Sequence, residues 1–220
     1  MLIGGVDDAG RGPIIGPLVI AGVLVDEETL PKLVSLGVKD SKLLSPRRRE
    51  QLRKGILEVV KEYYVVKLSP AEIDKVVETG TKLNRLNRLE ARAMAEVIRN
   101  LKPDIVYVDA SDVLADRFGQ HIAEEVPFKV QIVSEHKADR TYPVVSAASI
   151  IAKVERDSVV AELREKYGDF GSGYMADPKT VSFLKQWINT HAEYPEFVRK
   201  SWKPAKNFKD KAESFQSRLI

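Results

Sequence analysis

Residues 1–13 read MLIGGVDDAGRGP: an apolar run from Leu2 ends in two adjacent carboxylates, Asp7 and Asp8, and passes at once into the glycine-rich turn Gly10-Arg11-Gly12. A run of this kind predicts a strand over Leu2 to Asp7, with its acids at the carboxyl end. A second run ends the same way, since Ile105-Val106-Tyr107-Val108 leads straight into Asp109. Ligands of α/β sheets gather at the carboxyl ends of strands, so acids delivered there by separate runs can converge on one site. A third acid, Asp139 in SEHKAD, follows the next strand-like stretch.

Outward from these runs, the apolar pattern alternates between strand-like and helical periods, with no repeat or low-complexity segment. Five strands are predicted, over Leu2 to Asp7, Pro17 to Leu24, Tyr63 to Leu68, Ile105 to Asp109 and Lys129 to Ser134, enough for one mixed sheet. Ser45-Pro46 and Ser69-Pro70 each set a capping hydroxyl before proline at the first helical position, and Glu72 completes a capping box with Ser69. In the first of these helices Leu52, Ile56, Val59 and Tyr63 fall on one face, while Arg47, Arg48, Arg49, Arg53 and Lys54 read as a solvated one. Further helices are predicted over Asn84 to Leu101, over Ser146 to Tyr167 with a stop at Gly168, and after Asp177-Pro178. The expected plan is an α/β catalytic domain at 1–177 with a C-terminal helical extension at 178–220.

Composition narrows the chemistry. With 44% hydrophobic and 30% charged residues, the 220-residue chain can bury a substantial core. It has no window apolar enough to cross a bilayer and no basic-then-hydrophobic start, so a cytoplasmic protein is expected, without membrane attachment. The absence of cysteine excludes disulfides, a thiol nucleophile and cysteine-bound zinc. Any metal must then sit on carboxylates or the three histidines, which favours Mg2+ or Mn2+. A net charge of +3, from 35 Lys and Arg against 32 Asp and Glu, makes local clustering rather than total charge the guide to nucleic-acid binding.

Adjacent carboxylates repel unless a cation lies between them. Two divalent ions about 4 Å apart on several carboxylates are a standard arrangement for attack on phosphodiesters. Aspartates at strand ends are also ordinary turn formers, and periodicity alone leaves both readings open. Ser146 and Ser149 have no histidine–acid pairing legible in the sequence, which argues against a serine hydrolase.

The strings GVDDAGRGP, VKDSK, YVDASDV, EHKAD, YPVVSAASIIAKVERD and GDFGSGY resemble, in this order and spacing, the motifs of ribonuclease HII, particularly archaeal forms, over residues 1 to about 180. The resemblance implies a ribonuclease H-like fold with a five-stranded mixed sheet: the first three strands antiparallel, the fourth and fifth parallel to the first. It implies an endonuclease cutting the RNA strand of RNA/DNA hybrids and cutting 5' to single ribonucleotides in duplex DNA, leaving 5'-phosphate and 3'-hydroxyl ends. The four acids map onto Asp7, Asp8, Asp109 and Asp139. By analogy Asp7 bridges two metal ions, Asp8 and Asp109 hold one, and Asp139 the other.

The family motif reads Asp-Glu-Ala-Gly, whereas this chain carries Asp8 in place of the glutamate. A carboxylate drawn back by one methylene loosens one metal, so reduced activity or better function with Mn2+ is expected. The alternative is a hybrid-binding protein whose catalysis is weakened by Asp8. A resolvase or transposase core is a further ribonuclease H-like reading, but those lack the GRG and GSGY pair.

Substrate reading is expected from two loops. Glycines leave the backbone of Gly10-Arg11-Gly12 open to close approach, and the resemblance implies that this loop and Tyr174 of GSGY read the junction between ribonucleotide and deoxyribonucleotide. Met175 and Ala176 stand where the family commonly has proline and serine. Lys39, Ser41 and Lys42, beside Asp40, are expected to contact phosphate, with Lys137 and Arg156 as further candidates. His136 can shuttle a proton, orient Asp139 or pack in its loop; His121 and His191 read as surface residues. Lys203 to Ile220 reads as a basic amphipathic helix. Its end, Gln216-Ser217-Arg218-Leu219-Ile220, resembles the opening of a sliding-clamp motif that stops before its aromatic pair, and a frayed terminus is the favoured reading. The expected partner is nucleic acid, a clamp being only weakly supported by this tail; the protein is expected to act as a monomer.

Overall fold

A computed structural model describes residues 1–38, 44–79 and 85–216, in two compact units. The first comprises the described residues of Met1–Ala9, Val19–Lys67 and Asn84–Arg156; the second comprises those of Gly10–Leu18, Leu68–Leu83 and Asp157–Ile220.

The first unit carries a five-stranded mixed sheet, built from β1 (Leu2–Ala9), β2 (Leu18–Asp26), β3 (Glu62–Leu68), β4 (Ile105–Asp109) and β5 (Gln131–Glu135) in the order β3-β2-β1-β4-β5. β1 runs antiparallel to β2 and parallel to β4, and β5 runs parallel to β4. The helices are α1 (Leu30–Ser35), α2 (Pro46–Val59), α3 (Pro70–Thr79), α4 (Arg85–Leu101), α5 (Ala115–Ala123), α6 (Ala138–Thr141), α7 (Pro143–Tyr167), α8 (Pro178–Thr190) and α9 (Lys203–Gln216). Among the described residues no helix is long and apolar enough to cross a membrane.

The register of β1 on β2 sorts the central strands by face. Gly5 lies opposite Val23 and Asp7 opposite Ala21, while Val6 lies opposite Gly22. Directly paired residues of antiparallel strands share a face, so Ile3, Gly5, Asp7 and Ala9 point one way with Val19, Ala21, Val23 and Val25. That face packs on α7 through Val144, Val145, Ala147, Ile150 and Ile151. The opposite face meets α4, whose Met94, Val97, Ile98 and Leu101 are buried. Both approaches need glycine: a Cβ on Gly5 would lie 2.3 Å from the backbone carbon of Val144, and one on Gly22 would lie 2.3 Å from Cγ1 of Val97.

The helix starts follow their caps. Ser45 accepts the Arg48 amide, Ser69 and Glu72 form the reciprocal box at 2.8 and 3.3 Å, and Asp177 caps α8. α7 ends where the Gly168 amide bonds to the Arg164 carbonyl, with Gly168 at φ 90°. Three expectations are corrected. Tyr63 is not on the face of α2, which stops at Val59; it is an exposed residue near the start of β3. Arg49 is buried rather than solvated, donating to the Leu44 carbonyl at 2.6 Å, and Arg53 reaches Glu155 at 2.7 Å. His121 lies buried on α5 beside Phe118 and Ile122 rather than at the surface.

The glycine contacts make a graded prediction. Gly5→Ala collides with backbone, which cannot rotate away, and should cost about 2–3 kcal/mol or more, lowering the melting temperature by roughly 5–10 °C. Gly22→Ala meets a side chain that can turn, and should cost about half as much. Thermal melts of the two variants beside the parent check the order.

Candidate active site

The parallel pairing of β1 and β4 builds the site. Gly5 stands in register with Tyr107 and Val6 with Val108, so the next residues on the face toward α7, Asp7 and Asp109, come together at the carboxyl ends of adjacent strands. Asp7 is 4% exposed and hydrogen-bonds to the Ser149 hydroxyl of α7, while its own Oδ1 accepts the Asp8 amide at 2.7 Å. Burial above all, then the charges of Asp8 and Asp109, push the Asp7 carboxyl well above the usual carboxylate range; the Ser149 and Asp8 hydrogen bonds only partly offset this.

Asp109 extends the site to the third acid. Its Oδ1 accepts the Ala138 amide at 2.8 Å, tying the end of β4 to the short α6 that carries Asp139. Asp139 is buried, at 2% exposure. Behind it, Tyr107 stacks on Tyr142 with ring centroids 4.0 Å apart, and the Tyr142 hydroxyl donates to Glu135 at 3.0 Å. The loop after β4 is set by buried Asp112, which accepts from Arg117 and from the Leu114 amide at 3.1 Å; the Arg117 guanidinium holds this carboxyl far below the usual range.

Asp8 adds its charge to this set from the other face of β1. Strand alternation turns it to the face opposite Asp7, and its Oδ1 accepts the Ser111 hydroxyl at 3.1 Å. Among the described residues no three Asp, Glu or His side chains are already drawn close enough to hold a metal ion. The donors nonetheless suit a hard divalent cation: all are carboxylate oxygens, and Asp7 is buried against two like charges that a cation would neutralise.

In the second unit the structure brings the GRG and GSGY loops together. The Ile14 amide bonds to the Gly173 carbonyl at 2.8 Å, and a Cβ on Gly12 would lie 3.6 Å from the Tyr174 ring. Gly10, at φ 91°, is buried, Arg11 is half-buried, Gly12 is exposed, and Tyr174 is 41% exposed. The GSGY turn is held from behind, with the Gly173 amide on the Thr180 hydroxyl at 3.0 Å and the Ser172 amide on Asp177 at 2.7 Å.

The remaining candidates divide. Lys39, Ser41 and Lys42 lie outside the described residues, as do Ser217 to Ile220 of the tail. His136 is exposed, with Nε2 3.2 Å from the Val113 carbonyl, and Lys137 takes a left-handed conformation ahead of α6. Arg156 is 2% exposed, which withdraws it as a surface phosphate contact. Three contributors escaped the sequence reading: Ser149, considered there only as a nucleophile, Ser111, and Arg199, a fully buried cation whose sole sequence signal is its place in the apolar stretch Phe197-Val198-Arg199.

Comparison with known proteins places the chain. The family profile of Ribonuclease HII matches residues 4–205. The chain is 48% identical over 216 residues to the Ribonuclease HII of Thermococcus kodakarensis, covering 97% of this chain and 92% of that protein. Its fold is similar to the crystal structure of ribonuclease H2 from Pyrococcus horikoshii, with a TM-score of 0.89 and 40% identity over 97% of this chain and 99% of the other. It is also similar to ribonuclease HII from Archaeoglobus fulgidus, solved in complex with PCNA, at a TM-score of 0.84 and 44% identity, covering 94% and 96% of the two chains. The mixed sheet with its flanking helices is thus a ribonuclease H-like fold, and the chain belongs to the ribonuclease HII family, divalent-metal-dependent endonucleases that cleave the RNA of RNA/DNA hybrids.

Proposed function

We propose that this enzyme cuts both the RNA strand of hybrids and the 5' side of single ribonucleotides embedded in duplex DNA, by two-metal-ion hydrolysis leaving 5'-phosphate and 3'-hydroxyl ends. The observation that carries the reading is Asp7, a carboxylate buried on the α7 face and crowded by Asp8 and Asp109. Such a group is costly in the folded protein unless a cation neutralises it.

In this reading two ions, Mg2+ or Mn2+, would be held by the four acids, Asp7 serving both, Asp8 and Asp109 one and Asp139 the other. When bound, the ions supply an activated water and neutralise charge on the departing oxygen. The protein's part is placement. The Ser149 hydroxyl fixes how the Asp7 carboxylate presents its oxygens, and the bond from Ala138 to Asp109 couples the end of β4 to the turn bearing Asp139. Asp8, whose Oδ1 accepts the Ser111 hydroxyl, has a side chain one methylene short of the family's glutamate.

Gly10, Arg11, Gly12 and Tyr174 read the ribonucleotide, and Lys39, Ser41 and Lys42 take backbone phosphate. The exposed Tyr174 ring beside Gly12 supports the first assignment. We assign catalysis to residues 1–177 and a supporting role to the helical extension at 178–220, in a cytoplasmic monomer. The PCNA complex of the Archaeoglobus fulgidus relative supports clamp binding, which we assign to the C-terminal tail. No observation favours the alternative of a hybrid binder weakened by Asp8.

A labelled duplex with one ribonucleotide, incubated in Mg2+, in Mn2+ and in EDTA, tests the reading: cutting 5' to the ribonucleotide should need metal and disappear in Asp7→Asn. Tight binding without cutting in either metal would overturn it. Asp8→Glu should raise the Mg2+ rate by roughly tenfold to a hundredfold and shrink any advantage of Mn2+; an unchanged rate would show that the shorter acid is not limiting.

Asp7 also sets a pH dependence. Its carboxyl binds a proton more tightly folded than unfolded, so its contribution to stability is present at low pH and is lost as pH rises from the ordinary carboxylate value through the raised one. In EDTA, Asp7→Asn should therefore melt higher than the parent near neutral pH, with the gap closing in acid. Added Mg2+ should stabilise the parent and not the variant. Melting curves across pH, with and without Mg2+, measure both effects.

A further inference from the structure

Among the described residues Arg199 is the largest fully buried side chain, and its guanidinium donates to the backbone of one loop. Nη1 donates to the Arg11 carbonyl at 2.6 Å, Nη2 to the carbonyls of Gly10 and, at 3.1 Å, Gly16, and Nε to Gly16 at 3.2 Å. The Arg199 amide itself bonds to the Ile14 carbonyl at 2.9 Å, and the guanidinium lies 5.0 Å from the centre of the Trp202 ring. The cation therefore gathers carbonyls from both ends of the segment Gly10–Gly16.

A buried guanidinium is costly unless its donors are satisfied, and its planar fork meets several acceptors in fixed directions. That same rigidity acts on the loop. The peptides joining Gly10 to Arg11 and Arg11 to Gly12 are trans, so each carbonyl and the following N–H point in opposite directions. With the carbonyls of Gly10 and Arg11 drawn onto Arg199, the N–H groups of Arg11 and Gly12 face away from it. Gly12 is exposed there, next to the Tyr174 ring.

We infer that Arg199 is a positioning residue for ribonucleotide recognition: by turning two successive carbonyls inward it presents the Arg11 and Gly12 amides as a paired donor for the sugar or phosphate oxygens at the ribonucleotide. The inference rests on the reading that Gly10–Gly12 meets that nucleotide. Lysine keeps the charge but lacks the fork, and cannot hold three carbonyls of fixed direction at once.

The test compares the parent with Arg199→Lys on a duplex containing one ribonucleotide and on its all-DNA counterpart. Arg199→Lys should raise KM for the ribonucleotide duplex by roughly tenfold or more with little change in kcat, while affinity for the all-DNA duplex stays as in the parent. A lowered kcat at unchanged KM would mean that Arg199 only maintains the folded fraction, and would overturn the inference. If the variant does not fold, the unaltered protein decides: in EDTA, where nothing is cut, the amide NMR signals of Arg11 and Gly12 should shift with the ribonucleotide duplex and not with DNA. A response of the Gly10 and Gly12 Cα signals without the two amides refutes the role of Arg199 and leaves the loop reading intact. Silence throughout the loop, or a parent that binds both duplexes equally, refutes the loop reading itself.

Discussion

The parallel ladder between β1 and β4 is the constraint on which the site depends. It places Val6 level with Val108, and strand alternation then brings Asp7 and Asp109 to one face at the same end of the sheet. The close approach of α7 completes the arrangement, because the missing side chain at Gly5 lets the helix come down far enough for Ser149 to reach Asp7. A single glycine thus links the packing of the core to the orientation of the central carboxylate. The result is an acid held where its charge is least welcome, next to two more of the same sign, so the electrostatics of the site and the stability of the fold are linked.

The second unit handles buried charge in the opposite way. Arg199 is enclosed, and backbone carbonyls accept from its guanidinium. Polar satisfaction here also shapes the loop, since each carbonyl that turns inward fixes the direction of the next amide. The GSGY turn joins this arrangement through the Gly173 carbonyl, which accepts the Ile14 amide. Residues more than 150 positions apart are thereby set side by side.

Much of this was legible in the chain itself. The strand at Ile105 to Asp109 was read to the residue, and the caps at Ser45, Ser69 and Asp177 marked where helices begin, because capping is a local negotiation between a side chain and the nearest free amides. Long-range burial was not legible. Arg49 looks like part of a solvated cationic face, but the Leu44 carbonyl receives it; His121 looks exposed, but it lies buried on α5; and Arg156 looks available for phosphate, but it lies buried on α7. Charge type at a position says what the residue can bond to, but the partner is chosen by elements far away in sequence.

The sequence by itself determined the family, the α/β plan and the identity of the acids at the strand ends, since motifs, strand runs and caps depend on residues close together along the chain. Only the tertiary structure decided which acids share a face, that Asp8 turns instead to Ser111, and that Arg199 underlies the glycine loop. Those outcomes depend on sheet register, on the approach distance of a helix and on the direction of individual peptide planes. None of these is encoded in any one short segment, because each exists only once distant segments are packed together.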